Sequence, residues 1–169
     1  MRYSNVRSEE CYEVSAEKDI FVAMRDGICL ATDVYRPAIS GKLIDSQVPT
    51  LLQRTPYDKE AERMVQEAVY FCKRGYAVVL QDNRGRFKSE GNFHKYIQDA
   101  KDGYDCVQWI GQQPWSTGAV GTYGTSYGAH TQGAMAALNP PNLATMIVDC
   151  GAFSNAYMSS ARHNGAFEL

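Results

Sequence analysis

The stretch Val120 to Leu138, "VGTYGTSYGAHTQGAMAAL", sets Ser126 between Gly124 and Gly128, with an apolar run before it and an alanine-rich run after it. Glycines at these two positions let a strand turn abruptly into a helix where a Cβ would collide with neighbouring backbone. The serine is then left at the apex of the turn, and the backbone N–H of Tyr127 lies at a helix N-terminus, facing any negative charge that develops beside it. A glycine-rich turn with no chemistry fits the pentapeptide equally well, so the flanking sequence has to decide.

Working outward, the chain alternates. "YAVVLQD" from Tyr76 to Asp82 is a continuous apolar run that predicts a buried strand, and "VPTLLQR" from Val48 to Arg54 predicts another, ending at Thr55-Pro56. Between them Ala61, Met64, Val65, Ala68 and Cys72 fall at helical spacing, with Asp58 as candidate N-cap and Gly75 as the C-terminal stop. A second helix carries Ala100, Tyr104, Val107 and Ile110 as its apolar stripe and ends near Gly111, before the strand Ala119 to Tyr123. Beyond the helix that follows Ser126, Asn139-Pro140-Pro141 breaks the chain, and "LATMIVDCG" from Leu143 to Gly151 is one more buried strand. At the N-terminal side, Lys18 to Pro37 reads as two strands around an Asp26-Gly27 turn.

A hairpin followed by strand, helix, strand, helix, strand, helix, strand is the α/β pattern, with a mostly parallel sheet covered by helices on both faces. Ligands bind such sheets outside the carboxyl ends of the strands. Three loops leave those ends: Thr55 to Lys59, Asn83 to Phe93, and the serine turn. They are expected to converge, which gives Ser126 the strand-turn-helix setting of a nucleophile. Acyl transfer then needs a second donor to the oxyanion. The loop after Arg54 reads "TPYDK", where the neutral donors within reach are Thr55 and the phenol of Tyr57, stiffened by Pro56; Tyr57 packed under the loop is the competing structure.

At 169 residues, with 44% hydrophobic and 21% charged residues, the chain fits one domain or part of one. A net charge of -2 gives no electrostatic reason to expect nucleic acid or an anionic membrane as partner. The five cysteines are scattered, form no metal-binding spacing, and read as small buried hydrophobes. No export signal or long apolar span is visible, so a cytoplasmic location is expected. In "RGRFKSEG", Arg84, Arg86, Lys88 and Glu90 are expected to hold their own loop through an internal ion pair rather than to bind phosphate or carboxylate.

"RTPYDK", "YAVVLQDNRGRFKSEGNF", "DGYDCVQWI", "VGTYGTSYGAHTQ" and "HNGAFEL" together resemble the catalytic domain of CocE/NonD hydrolases, from the hairpin onward. The family groups cocaine esterase, α-amino-acid ester hydrolases and X-Pro dipeptidyl-peptidases. The resemblance implies an α/β-hydrolase fold and a serine hydrolase that forms an acyl-enzyme on Ser126 from an ester, amide or X-Pro peptide, with no metal or organic cofactor. It implies that Tyr57, rather than packing, donates its hydroxyl to the oxyanion beside the N–H of Tyr127. It also implies a triad aspartate and histidine following later strands, beyond a helical cap and before a β-rich C-terminal domain. Residues 1–169 then correspond to the N-terminal part of the catalytic domain, ending about where the cap begins, and the triad Asp and His match no residue here. Of the residues present, His94 on its loop is the least implausible substitute base; His130 inside a helix, His163 near the C-terminus and Asp149 at a strand end are expected to be structural. The rival expectation is a non-catalytic α/β module that binds ligands or partners through the same cleft.

Overall fold

The computed structural model describes residues 8–151 together with the short segments 162–163 and 166–167. Strands β1 (Glu13–Ala23) and β2 (Cys29–Ile39) form the expected hairpin, turning at Asp26-Gly27 where Gly27 takes φ +82°. A two-residue strand β3 (Lys42–Leu43) pairs with the end of β2. The pattern then continues as β4 (Val48–Thr55), α1 (Glu62–Cys72), β5 (Ala77–Asp82), α2 (Asp99–Gly111), β6 (Ser116–Thr125), α3 (Tyr127–Ala136) and β7 (Leu143–Asp149). Two-residue strands β8 (Arg162–His163) and β9 (Ala166–Phe167) pair with each other.

The main sheet runs β1-β2-β5-β4-β6-β7. Strands β5, β4, β6 and β7 are mutually parallel, and the hairpin joins antiparallel to β5 through β2. All six residues of β5 are buried, as a central strand covered on both faces requires. On one face, Ala68 and Cys72 of α1 pack on Tyr35, Val78, Leu80 and Tyr123. On the other, Cys106, Val107 and Ile110 of α2 and Met135 of α3 pack on Val34, Leu52, Val79 and Val120. Because β4, β5 and β6 run parallel, the loops that follow them open at one end of the sheet.

Strand β7, expected to be buried, has no buried residue because it is the edge strand of the sheet, and three further local expectations need correction. Helix α1 starts at Glu62, with Ala61 rather than Asp58 in the cap position. Asp58 adopts φ +82° and its carboxylate accepts the Glu60 N–H at 2.9 Å, closing a turn before the helix begins. In α2 the fully buried face is Asp99, Asp102, Gly103, Cys106, Val107 and Ile110, while Ala100 and Tyr104 are only half-buried. Two aspartates can face inward because the fold supplies partners for both carboxylates: Arg84 donates to both oxygens of Asp102, with Arg54 Nη2 3.8 Å away, and Asn83 Nδ2 and the Tyr127 hydroxyl donate to Asp99. Finally, only Cys72 and Cys106 are buried hydrophobes, their thiols pushed up to about 12 by burial, whereas Cys11 and Cys150 are exposed and Cys29 intermediate. All five are free thiols. Among the described residues no helix is long and apolar enough to cross a membrane.

Candidate active site

Strand β6 ends at Thr125 and α3 starts at Tyr127, leaving Ser126 alone between them at φ +58°, ψ −117°. A non-glycine residue in that conformation is strained and persists only when its surroundings hold it. Ser126 donates its N–H to the Asp149 carbonyl at the end of β7, and its own carbonyl accepts the N–H groups of Ala129 and His130. Gln132 braces the turn from within α3, donating to the carbonyls of Gly124, Gly128 and Ile147 and accepting from Thr122.

The two glycines are not equivalent. A Cβ on Gly124, at φ +153°, would sit 3.1 Å from the backbone C and O of Gly128. A Cβ on Gly128 would meet only the Arg54 carbonyl, at an ordinary 3.6 Å. The expected collision therefore holds at Gly124 and not at Gly128.

The three loops do converge, around a cavity of about 450 Å³ that Ser126 shares with Tyr57, Phe93, Tyr96, Tyr127 and His130. Tyr57 is half-exposed, and its hydroxyl lies 3.4 Å from Ser126 Oγ. Thr55, the other donor considered there, uses its hydroxyl to accept the Tyr57 N–H at 3.0 Å. Among the described residues Tyr57 is the only hydrogen-bond partner of Ser126 Oγ. The N–H groups of Tyr127 and Gly128, the first two of α3, have no intrahelical acceptor. Two donors thus border the space beside Oγ, one a phenol and one a backbone N–H at the positive end of a helix.

Behind the serine, the Tyr127 side chain is locked. Its hydroxyl donates to Asp99 at 2.7 Å and accepts the Tyr96 N–H at 2.8 Å, and its ring stacks on that of Tyr96. Burial, with Asp99 adding to it, pushes the phenol far above its ordinary range, so it stays neutral. His130 is buried edge-on against Tyr96, which fits the expected packing role; burial lowers its pKa although Asp99, 3.9 Å from Nε2, opposes this. Its imidazole is a neutral wall of the cavity. His94 is exposed and does not line the cavity, although Phe93, Lys95 and Tyr96 do. Asp149 accepts from Thr125 and takes the Ser126 N–H on its carbonyl, a bracing position. His163 lies in β8, and its side chain is outside the described residues.

The charges of "RGRFKSEG" pair outward, not within their loop. Arg84 bridges Asp26 and Asp102, Lys88 reaches Asp19 and Glu60, Glu90 accepts the Cys29 N–H, and Arg86 donates to the Pro56 carbonyl at 3.1 Å. Gly85, at φ +66°, lies against the returning end of the loop, where a Cβ would sit 2.2 Å from the Phe93 nitrogen. No group of three or more metal-ligating side chains is gathered among the described residues.

Sequence reasoning missed a buried cluster under Tyr57. Lys59 has no exposed side-chain surface, and its Nζ lies 2.7 Å from both Asp33 and Asp19. Burial alone would lower its pKa, but the hydrogen bonds it donates to Asp19 and Asp33 outweigh this and raise it, so it is charged. Asp33 is also fully buried and holds Lys18 at 2.7 Å, while the Lys59 N–H donates to Asp82 Oδ1 at 2.8 Å. Asp19 faces this cluster because β1 carries an irregularity between Glu17 and Ile20, with Asp19 at φ +56°. The available signal was a lysine two residues after the tyrosine and an aspartate inside a strand otherwise read as apolar.

The family described as X-Pro dipeptidyl-peptidase (S15 family) matches residues 26–169. Cocaine esterase from Rhodococcus sp. strain MB1 Bresler is 43% identical over 122 residues, which cover 70% of this chain and 20% of that protein. A CocE/NonD family hydrolase from Staphylococcus aureus superposes with a TM-score of 0.71 at 31% identity, covering 80% of this chain and 27% of that one. An α-amino acid ester hydrolase gives 0.72 at 26% identity, covering 98% of this chain and 30% of that one. The chain therefore spans about a fifth to a third of the length of these relatives. On its motifs, its sheet order and these matches, the chain belongs to the X-Pro dipeptidyl-peptidase (S15) family, within the CocE/NonD hydrolases of the α/β-hydrolase fold.

Proposed function

We propose that the protein carrying this chain is a serine hydrolase that cleaves an ester, amide or X-Pro peptide through an acyl-enzyme on Ser126. The observation that carries this reading is Ser126 at φ +58° with the Tyr57 hydroxyl 3.4 Å from its Oγ, at the edge of a cavity. As Oγ adds to the substrate carbonyl, the carbonyl oxygen gains negative charge between Tyr57 Oη–H and Tyr127 N–H, which stabilise it more strongly than the neutral ground state. The intermediate collapses with loss of the alcohol or amine, and water then releases the acyl group from Oγ. The hydroxyl proton of Ser126 has to pass to a base, and no described histidine touches Oγ; in this reading the base and its orienting acid come from outside the described residues.

Ser126→Ala in the complete gene product tests this. It is expected to abolish fluorophosphonate labelling and to lower p-nitrophenyl ester turnover by about 10⁶, as loss of the nucleophile does in a well-characterised triad enzyme. Retention of both activities would overturn the assignment and favour a binding module built on the same cleft.

A further inference from the structure

We infer that Lys59, clamped between Asp19 and Asp33, is a positioning residue for the Tyr57 hydroxyl. The inference rests on the reading of Tyr57 as an oxyanion donor.

Tyr57 needs an external constraint. Its ring is half-exposed, and its hydroxyl meets only Ser126 among the described residues, so packing around the ring cannot hold the phenol where charge develops. The constraint has to come through the backbone of Thr55 to Lys59. Each part of that segment is tied: Thr55 O accepts the Asn83 N–H, Pro56 O accepts Arg86 Nε, and the Tyr57 N–H donates to Thr55 Oγ1. Lys59 closes the segment. Its N–H is fixed to Asp82 at the end of β5, and its ammonium is drawn under the loop onto carboxylates from both strands of the N-terminal hairpin. Lys59 thus acts as a three-point tether, two points from its ammonium and one from its N–H, to strands that are themselves locked in register. It lies on the side of the loop remote from the cavity, whose lining does not include it, so it acts through Tyr57 and not on the substrate.

A tether of this kind leaves a particular kinetic mark. An oxyanion donor displaced by about 1 Å loses transition-state stabilisation while substrate binding is little changed. Lys59→Met is a usable probe because Asp33 keeps Lys18 and Asp19 keeps Lys88, so neither carboxylate is abandoned. The experiment is a double-mutant cycle in the complete gene product, comparing Lys59→Met, Tyr57→Phe and the pair, with kcat and KM on a p-nitrophenyl ester and active-site counting by fluorophosphonate. Lys59→Met is expected to lower kcat about 10- to 100-fold with KM within about 2-fold. In the Tyr57→Phe background the same change is expected to cost less than about 2-fold, because no hydroxyl remains to be positioned. Equal losses in both backgrounds, or a loss explained by fewer titratable sites, would overturn the inference and leave Lys59 a purely structural residue. Normal turnover in Tyr57→Phe alone would overturn the reading of Tyr57 and the inference with it. If Lys59→Met does not fold, Asp19→Ala removes one anchor at the surface and is carried through the same cycle; it is expected to lower kcat several-fold only when Tyr57 is present, and full additivity with Tyr57→Phe would be the contrary result.

Discussion

The turn at Ser126 and the loop at Tyr57 face each other across 3.4 Å, yet they are held by different forces. Excluded volume shapes the turn: a Cβ on Gly124 would press to 3.1 Å from the Gly128 backbone, and neutral hydrogen bonds to Gln132 and the Asp149 carbonyl brace it. Charge shapes the loop, through the buried ammonium of Lys59 held by Asp33 and Asp19. Steric constraint is local and insensitive to pH, whereas a charge network reaches across the fold and depends on protonation. One side of the site is consequently intolerant of bulk, and the other is sensitive to protonation.

The two sides can be separated by mutation. The largest effect is expected at the donor itself: Tyr57→Phe should lower turnover by about 10² to 10³ with substrate affinity nearly unchanged, measured as kcat and KM in the complete gene product. Near-normal turnover would return Tyr57 to a packing role. Next, Gly124→Ala should destabilise the fold by about 2 to 3 kcal/mol, from a backbone conformation unsuited to a Cβ and a contact of 3.1 Å, while Gly128→Ala should be neutral or stabilising by up to about 1 kcal/mol in the first turn of α3. Urea unfolding of both variants checks this, and equal costs would show that Gly128 is as constrained as Gly124.

The smallest effect concerns pH. Burial raises the Asp82 carboxyl from 3.8 to about 6, against the opposing pull of the Lys59 N–H and ammonium. The folded state therefore binds more protons than the unfolded state between about pH 4 and 6, so stability falls as pH rises through that window and stays lower above it. A rise of about two units sets a ceiling of about 3 kcal/mol. Asp82→Asn keeps an acceptor for the Lys59 N–H and removes the buried charge. It should gain about 1 to 2 kcal/mol at pH 8 and nothing at pH 4 by urea titration; a loss at pH 8 would mean that the ionised carboxylate stabilises the loop.

The same contrast explains what was legible in the sequence. The Ser126 turn could be read because steric demands appear as residue types at fixed local spacing, a glycine two positions before a serine and an apolar run on each side. The parallel core could be read for the same reason, since β5 and the α1 stripe announce burial by composition. The charge network was not legible, because Lys59 meets partners 40 and 26 residues away and nothing local distinguishes it from a solvated lysine. The buried face of α2 was not legible either: aspartates on a helix suggest an outward face, and only the fold reveals that Arg84 meets Asp102 while Asn83 and Tyr127 meet Asp99. Gly128 looked obligatory because it completes a recognisable motif, whereas the backbone around it leaves room.

The order of these parts along the chain also bears on synthesis. Every group that ties down the Tyr57 loop, from Lys18 to Lys88, precedes Ser126, and none of those ties uses a later residue. At translation speeds of about 5 to 20 residues per second, the 38 positions between Lys88 and Ser126 correspond to about 2 to 8 seconds. The Tyr57 side of the site can thus be tied down on the ribosome before Ser126 and Tyr127, which form its other side, have been made.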